Sequence, residues 1–110
     1  MTIRRISITF VALLFATISF GQVKSIDERI GEAMNSSNWA ELRSLYMSDG
    51  NNLQTPFLKP LSRFFISQFY NEPDSAIKYG KEILEKYQDE LNSSVPSIMY
   101  FMEEDYATLG

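Results

Sequence analysis

This 110-residue sequence predicts an all-α protein, about five short antiparallel helices in a solenoid-like segment behind an export leader. Three observations carry that prediction. Apolar residues recur at helical three-and-four spacing in five separate stretches. Polar caps, prolines and glycines sit at the ends of those stretches rather than inside them. Nowhere does the chain sustain the apolar–polar alternation of a half-buried strand. The length allows one small domain.

The leader comes first along the chain. "MTIRRISITFVALLFATISFGQ" places Arg4 and Arg5 ahead of an apolar run from Ile6 to Phe20, with small Ser19 and Gly21 at the spacing a signal peptidase needs. Residues 1–21 are therefore expected to be a signal peptide and 22–110 the helical domain, with delivery to the periplasm, the envelope or the exterior. Ser7, Thr9, Thr17 and Ser19 interrupt the run, whereas a membrane-spanning helix needs about 20 apolar residues, so no stable span is expected after cleavage. Cleavage would leave eight basic against fourteen acidic residues, a net charge of −6. Such a surface repels phosphate backbones and anionic lipid heads, which excludes nucleic acid as a partner. The chain has no cysteine, hence no disulfide, no lipid-attachment site and no thiol nucleophile.

The first helix is predicted over Ile26–Asn35. Ser25 and Glu28 make a capping box, and Ile26, Ile30, Ala33 and Met34 form one stripe. Asn38, followed three residues later by Glu41, caps a second helix that buries Trp39, Leu42, Leu45 and Tyr46 and stops at Asp49-Gly50. A third helix is expected to begin near Pro60, because a proline clashes with the carbonyl four residues back. Leu61, Phe64, Phe65, Ile66, Phe69 and Tyr70 make it strongly aromatic. Pro73 starts the fourth helix, with Ala76, Ile77, Gly80, Ile83, Leu84 and Tyr87 facing inward. Pro96 lies near the start of a fifth, which ends at Gly110 and carries a stripe of Ile98, Met99, Met102, Tyr106 and Leu109.

A weak echo runs through these elements. Ala40 and Ala76 both stand near helix starts with a small residue four positions on, Ser44 and Gly80, and the two alanines are 36 positions apart, close to the period of about 34 of helix-turn-helix repeats. The succession "IDERIGEAMNSSNWAELRSLY", "FYNEPDSAIKYGKEILEKYQDEL" and "YATLG" resembles the N-terminal tetratricopeptide-like region of exported bacterial proteins of the retropepsin-like aspartic protease family. The resemblance rests on Trp39 after a short polar turn, on Asn71-Glu72-Pro73-Asp74 between helices, and on Leu109-Gly110. It implies a helical region followed, in that family, by more helices and then a protease domain. On that reading the 22–110 domain is incomplete at its C-terminus.

The catalytic inventory bears on what this stretch does. An aspartic protease needs Asp-Thr-Gly or Asp-Ser-Gly so that paired carboxylates share a proton. Here "SDG" at Ser48–Gly50 and "DSA" at Asp74–Ala76 read as a helix stop and a helix start. With neither His nor Cys, the usual zinc sites and His-assisted nucleophiles are excluded. Glu103, Glu104 and Asp105 are consecutive on a helix, point in different directions and read as a solvated face. Asp49–Asn52 reads as a turn rather than a calcium loop, because Leu53 and Thr55 stand where ligand oxygens or the turn glycine belong. No catalytic, cofactor-binding or metal residue is therefore assigned. The expected function is protein or peptide interaction, with Tyr100, Phe101, Met102, Tyr106 and Leu109 as the candidate surface. It would meet a partner, a missing C-terminal part of the same protein, or a second copy. The competing readings are the helical companion of a protease and a complete small envelope protein.

Overall fold

The computed structural model describes residues 24–110, so the expected signal peptide lies outside the described residues. Among the described residues five α-helices follow one another: α1 Ile26–Asn35, α2 Trp39–Asp49, α3 Leu58–Phe69, α4 Pro73–Lys86 and α5 Val95–Leu109. Short 3-10 turns at Gly50–Asn52 and Asn92–Ser94 precede α3 and α5, and no strand occurs among the described residues. The all-α class and the number of helices are those expected from periodicity. Each helix packs chiefly on its neighbours in the chain, and the contact of α3 with α4 is the most extensive.

The first two helices begin where their caps dictate. The Glu28 amide donates to Ser25 Oγ at 3.2 Å while the Ser25 amide donates to Glu28 Oε1 at 3.1 Å, and the Glu41 amide donates to Asn38 Oδ1 at 3.2 Å. Each bond satisfies an amide that the first helical turn leaves without a partner. The α3 start differs from expectation. It begins at Leu58, which puts Pro60 third in the helix, where its missing N–H would have had no acceptor and the carbonyl four back belongs to Pro56, outside the helix. No side chain caps α3 at Phe57. Instead Asp27, in the first turn of α1, accepts the Gln54 amide at 2.9 Å and the Thr55 amide at 2.8 Å, fixing the strand of chain that leads into α3.

The connections α1–α2 and α3–α4 are built alike. Ser37 and Asn71 both have φ of 57°. The Ser37 and Asn38 amides donate to Met34 and Ala33, and the Asn71 and Glu72 amides donate to Gln68 and Ser67, so both helices end in the same pair of closing bonds. Ser37 and Asn71 stand 34 positions apart, as do the helix starts Trp39 and Pro73. The spacing extends into the packing: Ile30, Phe64 and Ile98 are buried, as are Ala33, Ser67 and Phe101, and Met34, Gln68 and Met102, each set stepping by 34. The expected 36-residue echo of small residues is a different matter. Ala76 and Gly80 are buried, but Ala40 and Ser44 face solvent, so that pair does not mark equivalent positions.

Phe64, Phe65, Ile30, Met34, Leu42, Leu58, Leu61, Ile83, Leu91 and Ile98 are almost wholly buried and form the heart of the core. Full burial of a side chain of this size is worth about 1.5–3 kcal/mol, and with no disulfide this packing carries the stability. Trp39 stacks on Phe65 with ring centroids 5.5 Å apart and tilts against Phe69 at 6.4 Å, joining α2 to α3. Gly80 brings α4 close to both its neighbours: a Cβ there would stand 2.6 Å from Met102 Sδ and 3.1 Å from Phe64 Cε1. Gly50 follows the helix end at Asp49, where a stop was expected, with an ordinary helical φ of −59°, and it makes room, since a Cβ there would lie 3.0 Å from the Tyr46 ring.

Candidate functional site

The α5 surface expected to meet a partner is divided by the fold. Phe101 and Met102 are 6% and 7% exposed and pack in the core, so they offer no surface. Tyr100, Tyr106 and Leu109 are 58%, 48% and 49% exposed. Met99, expected on the docking stripe, is exposed as well, and the stripe that α5 buries is Ile98, Phe101, Met102 and Asp105. Asp105 corrects the expectation of a solvated acidic face: it is buried and accepts a hydrogen bond from Gln68 Nε2 of α3 at 2.5 Å, while Glu103 remains exposed. A polar pair buried in this way must be hydrogen-bonded, because an unpaired carboxylate there would be costly.

The region where α2, α3 and α4 converge carries no local sequence signal. A cleft of about 230 Å³ lies there, lined by Arg43, Tyr46 and Met47 of α2, Arg63, Ile66 and Ser67 of α3, Tyr70 at the end of α3, and Glu72, Ser75 and Tyr79 at the start of and along α4. Gly50 and the aromatic packing position its walls. The space at Gly50 lets the Tyr46 ring lie against the backbone, and Tyr46 in turn accepts a hydrogen bond from Arg63 Nε at 2.8 Å. Arg63 Nη1 donates to the Tyr79 hydroxyl at 2.9 Å, so one guanidinium ties α2 to α4 across α3. Its Cζ is 5.2 Å from the centroids of both rings. The Tyr46 hydroxyl raises the Arg63 pKa above its ordinary value, partial burial opposes this, and Tyr79 adds to the rise, so Arg63 is a fixed cation.

Arg43 is held differently. Its Cζ lies 4.7 Å from the centroid of the Tyr70 ring, and its guanidinium makes no hydrogen bond or ion pair among the described residues. The Lys78 ammonium lies 5.3 Å from the Tyr79 ring centroid at the margin of the cleft. The lining thus offers permanent cations, three phenols and an apolar patch of Ile66 and Met47, the latter 73% exposed. Neither histidine nor cysteine stands in this lining. Arginines and tyrosines spread over three helices have no shared sequence spacing.

Among the described residues, no three acidic side chains gather in a way that could hold a metal ion, and no helix is long and apolar enough to cross a membrane. No family model, no curated protein and no solved structure matches this chain.

Proposed function

We propose that this chain is an exported helical-repeat module that binds a protein or peptide and has no catalytic chemistry of its own. The observation that carries the reading is the cleft between α2, α3 and α4, where Arg43 is presented on Tyr70 without any bond that folding requires of it. An exposed arginine stacked on an aromatic ring is already oriented, so less rotamer entropy is lost when it meets a ligand. The 34-residue step shared by the two helix connections and by three sets of buried positions supports the repeat character, since stacked helical hairpins of that period commonly present side chains to a ligand. Export rests on the Arg4-Arg5 start, the short apolar run and the small residues at Ser19 and Gly21.

The binding reading is tested by placing a photo-crosslinking amino acid at Met47, beside the cleft, and at Glu85, exposed on the outer side of α4, in cells that export the protein. Discrete adducts are expected from position 47 and not from 85. Equal yields from both positions, or none from 47, would count against a binding role for this cleft. Mass spectrometry of the same preparation is expected to find Gln22, or its cyclised form, at the N-terminus, and an intact Met1 would defeat the export reading.

A further inference from the structure

The cleft reads as a receptor for one anionic group set beside an apolar one. Its volume of about 230 Å³ is smaller than the roughly 300–1,000 Å³ of pockets that enclose whole small molecules, which suits one or two residues of a longer ligand. A guanidinium has five N–H donors in a planar fork. Arg63 commits two of them, to Tyr46 and Tyr79, and is held in place by doing so. Arg43 commits none. Two forks on adjacent helices, one rigid and one available, match the planar oxygens of a carboxylate. Polyanions fit poorly: the chain carries fourteen acidic against ten basic residues, and Glu72 places a carboxylate in the lining itself. Ile66 and the largely exposed Met47 share the lining with the arginines, which gives a neighbouring apolar side chain somewhere to lie.

From this arrangement we infer that the cleft binds an extended peptide through a single carboxylate, taken by Arg43 and Arg63, with an adjacent apolar side chain on Ile66 and Met47. The inference rests on the interaction reading above and narrows it to a ligand class. The carboxylate could be a chain terminus or an Asp or Glu side chain, and the peptides chosen for the test separate the two.

Binding is measured by fluorescence anisotropy with the protein purified after export and four fluorescein-labelled hexapeptides of alternating alanine and leucine. One has a free terminal carboxyl, one is amidated, one is amidated with an internal Asp, and one is amidated with an internal Asn. At least one acid peptide is expected to bind about tenfold or more tightly than its amide counterpart, as loss of a charge-assisted hydrogen bond implies. Arg43→Gln is expected to abolish that preference while shifting the urea unfolding curve little, because Arg43 makes no hydrogen bond among the described residues and only its exposed contact with the Tyr70 ring is lost. Arg43→Lys should recover only part of it, since it keeps the charge and loses the fork. Glu72→Gln should tighten the acid peptides about two- to threefold by removing a like charge. Indifference to the carboxylate, or to Arg43→Gln, would overturn the inference while leaving the module a peptide binder. Failure of all four peptides would overturn it too, and the crosslinking at Met47 would then decide the broader reading on its own.

Discussion

Asp27 pins the segment that leads into a helix it does not belong to. From the first turn of α1 it accepts the amides of Gln54 and Thr55, the residues that lead into α3, which has no side-chain cap of its own. Partial burial pushes its pKa up, but the amide of Gln54 and the side chain and amide of Thr55 outweigh that and hold it below the usual carboxylate range. A carboxyl whose pKa is lower folded than unfolded stabilises the fold fully above its ordinary value and loses that contribution as pH falls through the depressed one. Asp27→Asn should therefore lower the urea midpoint at neutral pH, and the gap between variant and parent should close as the pH drops below about 4. A gap constant from pH 7 to pH 3 would show that the charge of Asp27 is not what holds the loop. Ala76 gives a test of packing at the same scale. It is fully buried where α4 meets its neighbours, whereas Ala107 is exposed on α5. Ala76→Leu should cost about 1–3 kcal/mol by overpacking, and Ala107→Leu almost nothing. Equal urea midpoints would argue against close packing at Ala76.

At the scale of the element, the two helix connections set up a paired comparison. Ser37 and Asn71 occupy the same left-handed position at the ends of α1 and α3. Glycine enters that region without the Cβ clash other residues incur, and asparagine tolerates it better than serine. Ser37→Gly should accordingly raise stability by about 0.5–1 kcal/mol, and Asn71→Gly by less. A larger gain at 71 than at 37, read from thermal midpoints, would contradict this account of the turn. These connections also show what sequence conveys about an element. The starts of α1, α2 and α4 were legible because Ser25, Asn38 and Pro73 act locally. The α3 start was not, because Pro60 is harmless in a first turn and the segment before the helix is held by Asp27, 27 positions back from Gln54. On α5 an apolar count chose Met99, Tyr106 and Leu109 for the buried face, but the helix turns Phe101 and Asp105 inward. Asp105 could be placed there only by knowing that Gln68 waits opposite it. The cleft was hidden for the same reason, since its arginines and tyrosines become neighbours only once three helices have packed.

At the scale of the whole molecule, several buried positions step along the chain by 34 residues through α1, α3 and α5, but not every set completes the pattern. Gly31 and Phe65 are buried, but Met99, a further 34 positions on, is half exposed. Tyr106 and Leu109 are similarly exposed further along the same helix. Apolar surface gathered on one face of a helix favours association, because covering it removes area from water at about 25 cal/mol per Å². The protein should therefore self-associate through α5 as its concentration rises. Light scattering across a dilution series should show a mass that climbs above that of the monomer, accompanied by binding of an apolar dye at low concentration. Met99→Glu should keep the chain monomeric without shifting its unfolding midpoint, since the side chain it replaces is already half in solvent. A monodisperse monomer at every concentration, with one sharp urea transition and no dye bound, would mean that the exposed residues of α5 are too dispersed to act as a surface, and the contact assigned to this helix would have to be given up.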